Sequence, residues 1–290
     1  MYSRFYNFTD KPFRLSPDPK IFYSSKTHKR ALAYLRYGIE QAEGFIIITG
    51  DVGTGKTTLV ARLLASLAAS NYIVANIVNS QLQPTDLLRM VSAEFSLEYK
   101  LANKAILLRN LQEYFKNSVQ ANNRVLLIVD EAQSLSSKSL EELRMLSNIQ
   151  WKGRQLLQIF LLGQKEFRAM IRADGFEQLR QRTIATYHLK PLDTNDTRNY
   201  IQYRLHCVGW KEDPVIDEKM YENICLYSRG VPRLINLLCD RLFLLAALEE
   251  SHEINMQIYE SVLEDIEEEY WSEGSSEEIP VKLDKIKIIK

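Results

Sequence analysis

The sequence predicts an α/β fold: a doubly wound parallel sheet followed by a small all-helical domain. Three observations predict it. First, Gly50-Asp51-Val52-Gly53-Thr54-Gly55-Lys56-Thr57 has the form G-x-x-x-x-G-K-[ST], set between an apolar run, Phe45 to Thr49, and a helix-forming run, Thr58 to Leu64. Second, from there to Pro191 short β-branched runs alternate with amphipathic ones, the pattern of repeated βαβ units. Third, the pattern changes after Pro191, where 194–208, 217–228, 232–249 and 255–269 read as four helices with no strand between them.

Composition sets the bounds. The chain has 290 residues, enough for one large domain or two smaller ones, and its 46% hydrophobic and 26% charged content is that of a folded globular protein. Lys plus Arg and Asp plus Glu number 37 each, so the net charge is zero, which argues against a dedicated nucleic-acid binder. Cys207, Cys225 and Cys239 form no C-x-x-C pair and read as buried thiols in a reducing compartment. No apolar run reaches the length of a membrane span and the first residues have no signal-peptide core, so the expected location is the cytoplasm, with any membrane association made through a partner.

In chain order, residues 1–26 form an aromatic, proline-rich strap in which Pro12, Pro17 and Pro19 speak against a helix. It packs on the core, in part covers an adenine ring, or does both. Residues 27–191 form the α/β core. Thr27 to Glu43 has helical spacing, the strand 45–49 follows, and a helix runs from 58 to 69. Tyr72 to Val78 is a second strand. A helix carrying Leu87, Leu88 and Val91 starts near Pro84, and a longer one runs from about 103 to 121. Arg124 to Val129 is a third strand, Leu140 to Gln150 a helix, Leu156 to Leu162 a fourth strand and Thr183 to Tyr187 a fifth. Residues 192–269 are the helical domain, and 270–290 an acidic then basic tail that reads as disordered. The alternation in Val281 to Lys290 fits either a strand added to a partner or a solvated end.

The chemistry follows from these positions. The glycines of the loop let backbone N–H groups curl around a triphosphate, and the helix after it adds its positive end, so Gly50, Asp51, Val52, Gly53, Thr54, Gly55, Lys56, Thr57 and Thr58 form a phosphate cradle. Lys56 would reach the β- and γ-phosphates and the Thr57 hydroxyl would ligate Mg²⁺. Asp130 and Glu131 end a strand, and ligand groups of parallel α/β sheets sit at the C-terminal ends of strands. Asp130 would therefore hold Mg²⁺, and Glu131 would orient and deprotonate a water. Gln164 ends the fourth strand, either at the γ-phosphate or capping the next helix. Arg180 and Arg182 precede the fifth strand. Arg233 lies in the first turn of the helix opened by Pro232, a site that on spacing alone also suits a surface ion pair.

Several stretches carry a family resemblance. They are Pro12 to Pro19, Gly44-Phe45 leading into Gly50–Thr58, Val129-Asp130-Glu131-Ala132-Gln133, Leu140 to Asn148, Leu161-Leu162-Gly163-Gln164, Gln178-Leu179-Arg180-Gln181-Arg182 and Gly230-Val231-Pro232-Arg233. With them, residues 1–269 resemble the AAA+ secretion ATPases of the ExeA/GspA type, and most of all the ATPase associated with exosortase (PEP-CTERM) exopolysaccharide loci. The resemblance implies an AAA+ P-loop core with a helical lid, ATP held between them, and a homo-oligomer with shared active sites. It also implies that Arg180 or Arg182 is the arginine finger entering the neighbouring subunit's site, that Arg233 is the lid's sensor-2 arginine, and that Gln164 stands at the sensor-1 position. The expected function is an ATPase, with ATP and Mg²⁺ as cofactors, that powers or regulates assembly of an envelope secretion or exopolysaccharide system with a membrane-bound partner protein. A DNA-binding ATPase regulating transposition is the alternative, and a nucleotide switch without turnover a third reading.

Overall fold

The alternation of apolar runs and amphipathic runs becomes a regular succession of elements. The computed structural model describes residues 1–16, 21–67, 71–78 and 82–272, the last three for backbone only. Pro17, Pro19, the end of the helix expected to reach residue 69, and the tail from 273 to 290 lie outside the described residues. The chain runs α1 (Tyr2–Phe5), α2 (Lys26–Gln41), β1 (Phe45–Gly50), α3 (Lys56–Leu67), β2 (Tyr72–Ile77), α4 (Pro84–Glu94), α5 (Lys104–Gln120) and β3 (Arg124–Val129). A 3₁₀ turn (Ala132–Ser134) leads to α6 (Ser137–Ser147), β4 (Gln150–Trp151), β5 (Arg154–Gln155), β6 (Leu157–Gly163), α7 (Lys165–Arg172), α8 (Glu177–Gln181) and β7 (Thr183–Leu189). Then come α9 (Thr194–Cys207), β8 (Val215–Ile216), α10 (Glu218–Ser228), α11 (Pro232–Leu248), β9 (Glu253–Ile254) and α12 (Met256–Ser272).

The described chain forms two compact units, one of residues 28–51 and 56–189, the other of residues 1–27, 52–55 and the chain from 190 onward. The first holds a five-stranded sheet in the order β2-β3-β6-β1-β7, with every pairing parallel. Its central strands are buried on both faces, which is why β1 and β6 read as unbroken apolar runs. Edge strands β2 and β7 mix buried and half-exposed positions. Phe45, Leu127, Ile159, Leu161 and Phe167 are fully buried in the core of this unit, each such side chain contributing about 1.5–3 kcal/mol of hydrophobic stabilisation.

The helical unit is built on α9 to α12, with Ile201, Leu205, Ile235, Leu242 and Tyr259 in its core. Tyr2, Tyr6, Phe8 and Phe13 from the start of the chain lie in the same core, so packing is what these strap residues do. A buried polar chain ties them in. Arg204 donates to the Pro12 carbonyl at 2.5 Å and to the Tyr200 hydroxyl at 2.8 Å. Tyr200 in turn donates to Asn236 at 2.8 Å, and Asn236 to the Arg14 carbonyl at 3.2 Å.

Several expectations need correction. Of the three thiols expected to be buried, Cys239 is buried, Cys225 half-buried and Cys207 exposed. The strap contains a helix, α1, because its prolines begin only at Pro12 and leave residues 2–5 free to coil. The helix expected at 140–150 starts at Ser137, capped by the Ser136 hydroxyl accepting from the Ser139 N–H, and ends at Ser147. Its expected last residue, Gln150, instead opens a short hairpin, β4–β5, turned at Lys152 and Gly153, both at positive φ. The helical segment is also not free of strand, since β8 and β9 pair over two residues each, too short a run to leave a periodicity in sequence.

Candidate nucleotide-binding site

The site is assembled at the C-terminal ends of β1, β3 and β6. β1 ends at Gly50 and α3 begins at Lys56, so the loop joins a buried strand to a helix N-terminus. Lys56 is 7% exposed, and its Nζ donates to the Gly50 carbonyl at 2.9 Å and the Asp51 carbonyl at 3.1 Å. Burial pushes its pKa down, and the negative charges of Glu131, Asp130, Asp51 and Glu166 only partly offset this. The side chain is thus held across the mouth of its own loop, surrounded by acid.

β3 brings two carboxylates to the same end of the sheet and gives them different partners. Asp130 is 6% exposed, and its Oδ2 accepts from the Thr57 hydroxyl at 2.7 Å. Its other oxygen accepts the Glu131 N–H at 2.9 Å. Glu131 turns the chain in the left-handed region, φ 52°, and its Oε2 accepts from Gln164 Nε2 at 2.9 Å and from the Gln133 side chain. Gln133 Oε1 accepts the Gln164 N–H at 3.0 Å, closing a triangle of one acid and two amides. Partial burial pushes the Glu131 pKa up, but the two amide donors and Lys56 more than offset it, so the carboxyl sits below the usual range.

Lys56, Thr57, Asp130, Glu131 and Gln164 therefore come together in the α/β unit. Gln164 does not cap the next helix: it stands at the N-cap of α7 without a side-chain capping bond and spends its amide on Glu131. Gln133 is the residue that sequence reasoning left without a role. The signal was an amide two residues beyond the acid at a strand end. Thr58 is half-buried in the first turn of α3.

Residues 52–55, the tip of the loop, group with the helical unit, where Val52 is exposed and Thr54 buried. The Arg233 N–H in the first turn of α11 donates to the Gly53 carbonyl at 3.3 Å. Gly53 has φ +79°, and a Cβ there would stand 2.6 Å from the Arg233 Cβ, so this contact requires glycine. The Arg233 side chain is exposed and makes no ion pair among the described residues, so the surface salt bridge is not formed.

Arg180 and Arg182 lie at the other end of the sheet, where Thr183 pairs with Phe45. Arg180 Nη1 donates to the Ile171 carbonyl at 2.6 Å and the Ala173 carbonyl at 2.8 Å, and its Nη2 pairs with Glu177 at 2.9 Å. Arg182 is half-buried, offers its carbonyl to the Phe45 N–H at 2.9 Å, and its side chain enters no ion pair among the described residues.

A parallel five-stranded sheet with a phosphate loop after β1 and paired acids after β3, followed in the chain by a run of helices, is the P-loop fold of AAA proteins. Residues 39–171 match the model of the AAA domain family. Over 255 residues the chain is 40% identical to General secretion pathway protein A of Aeromonas hydrophila, an alignment that covers 88% of this chain and 46% of that protein. The chain thus spans about half the length of that relative. Among solved structures, the ORC2 protein of Aeropyrum pernix in its ADPNP-ADP complexes is similar at TM-score 0.65 and 17% identity, over 89% of this chain and 72% of that one. The RuvB Holliday junction branch migration motor of Thermotoga maritima is similar at TM-score 0.53 and 18% identity, over 88% and 73%. At these identities the structural likeness is one of fold. No helix among the described residues is long and apolar enough to cross a membrane.

Proposed function

We propose that the protein hydrolyses ATP in a self-assembled oligomer and thereby powers or regulates assembly of an envelope secretion or exopolysaccharide system of the exosortase-associated kind. The observation that carries the ATPase half is the division of labour at the end of β3, where Asp130 takes the Thr57 hydroxyl and Glu131 is aimed by Gln133 and Gln164. The secretion half rests on the likeness to General secretion pathway protein A.

The donors fit Mg²⁺: a hydroxyl and a carboxylate in mutual hydrogen-bond contact are hard oxygen ligands, and Thr57 with Asp130 would hold the ion, which when bound neutralises phosphate charge. Lys56 binds and orients the β- and γ-phosphates. Glu131 accepts a proton from the attacking water, and its lowered pKa keeps it ionised at neutral pH, ready to do so. Gln164 holds the carboxylate in position and shares the sensor-1 role. Arg233 acts as sensor 2 from the first turn of α11.

The finger comes from a neighbouring subunit. Thr183 pairs with the first residue of β1, while the phosphate loop begins at its last, and five strand steps span roughly 17 Å. A guanidinium anchored at one end of the sheet therefore cannot serve the loop at the other end of the same chain. A DNA-binding ATPase regulating transposition is the less supported reading, given the balanced charge.

Glu131→Gln tests the reading. It keeps the shape and the amide contacts but removes the base. ATP binding, read with a fluorescent analogue, should persist while turnover falls at least ~100-fold, the scale of lost general-base catalysis. Turnover at the wild-type rate would reject Glu131 as the base. Retention of the ATP-loaded variant on its secretion or polysaccharide-export partner, identified by crosslinking in its own membranes, tests the cellular half.

A further inference from the structure

We propose that the α/β unit carries a second anion site, separate from the phosphate loop, that takes a phosphate-bearing ligand. The register of β1 and β7 sets Ile47 beside Thr186 and Thr49 beside His188, so these side chains form two short rows on one face of the sheet. Over that face lies a cavity of 380 Å³ bordered by α7 and by Arg180. Arg168 and Arg172 stand four residues apart on α7 and therefore share one side of the helix, the side that lines this cavity.

The charge is one-sided. Three arginines and His188 line the cavity, and no carboxylate does. Arg180 is partly neutralised by Glu177 and fixed on two carbonyls, which sets it as a rigid wall. Arg168 and Arg172 enter no ion pair among the described residues, and they line the cavity with Thr186, while the Thr183 hydroxyl donates to the Leu179 carbonyl at 2.8 Å. Thr49 is fully buried, 3.0 Å from His188 Nδ1. Guanidinium forks around a small concave volume suit the several acceptor oxygens of a phosphate better than a single carboxylate. The volume lies at the small end of ligand pockets, which fits a pyrophosphate or a mononucleotide head. A phosphodiester of a nucleic acid presents the same oxygens, and the experiment separates the two sources.

Titration calorimetry with pyrophosphate is run on a Lys56→Ala chain, which cripples the phosphate loop, and on the same chain with Arg168→Ala and Arg172→Ala added. Binding should weaken by at least ~10-fold when the two arginines go, the scale for losing charge-assisted hydrogen bonds. Arg168→Lys with Arg172→Lys should give an intermediate affinity, since charge remains and the fork is lost. A short DNA duplex is the second arm: duplex binding at low salt that disappears with the same alanines assigns the site to a polymer's phosphates, and its absence beside pyrophosphate binding assigns a small ligand. Unchanged affinity for every probe in the arginine variants, or no binding of any probe to the Lys56→Ala chain, overturns the proposal. Unfolding temperatures of the variants within a few degrees of the parent show that the fold is kept. Because Arg168 and Arg172 are not part of the proposed ATPase machinery, ATP turnover in their variants of the otherwise wild-type chain should stay within about 2-fold, which keeps failure here distinct from failure of the ATPase reading.

Discussion

The two ends of the same sheet are finished to different degrees. At the C-terminal end the polar groups of the α/β unit's site find one another: Lys56 the loop carbonyls, Thr57 the Asp130 carboxylate, Glu131 the two glutamine amides. At the N-terminal end Arg180 is committed to α7 and Glu177, while the Arg182 side chain makes no ion pair among the described residues. One end is preorganised within the chain, and the other holds in Arg182 the cation that the proposed function assigns to a neighbouring subunit's site. Preorganised donors cost no rearrangement at the moment of reaction, whereas a residue supplied across an interface makes turnover depend on assembly.

Breaking each end should therefore give different losses. We expect the largest from Arg182→Ala: ATP binding by the subunit intact, turnover down by about 10³-fold, the scale of a lost arginine finger. Mixed with Glu131→Gln it should recover part of the activity, because some interfaces then hold an intact acid and an intact arginine. No recovery, with specific activity independent of protein concentration, would place the whole site in one chain. Arg180→Ala should act the other way round. Loss of its contacts to the Ile171 and Ala173 carbonyls should lower stability by about 1–3 kcal/mol in a urea titration, with a smaller effect on turnover than Arg182→Ala. The reverse order of turnover losses would make Arg180 the finger.

The mildest expected change is at the preorganised end. Gln164→Ala removes one amide donor from Glu131, whose pKa is lowered in the fold. The sign is fixed: a lowered pKa means the ionised form is favoured, so losing the donor raises the pKa and moves the acid limb of the pH–rate profile to higher pH. At pH 7.5 the carboxyl is still ionised, and turnover should fall less than about 10-fold. An acid limb in the same place as wild type would detach Gln164 from Glu131.

Much of this was legible in the residues because the chemistry is local. The phosphate loop, its flanking strand and helix, and the acids ending β3 each occupy one contiguous stretch, and the apolar runs of β1, β3 and β6 announce burial on both faces. What depended on distant loops meeting was not legible. Gln133 and Gln164 lie 31 residues apart and meet only after β6 has paired beside β3. Arg180 and Arg182 lie two residues apart, and that spacing does not say which of them α7 would claim. The β4–β5 hairpin and the β8–β9 pair are two residues per strand, below the length at which alternation can be recognised.

The burial of Tyr2, Tyr6, Phe8 and Phe13 in the helical unit has a consequence for biosynthesis. The Pro12 carbonyl and the Arg204 guanidinium that binds it are 192 residues apart. At ribosomal speeds of 5–20 residues per second, the aromatic segment is out of step with its partners by roughly 10–40 s. Over that interval four large rings have no core of their own unit to enter, while the α/β unit is being made. The segment therefore waits unpacked for its partners, and a helical unit expressed without its first sixteen residues should emerge with an open cleft where Tyr2, Tyr6, Phe8 and Phe13 close the core.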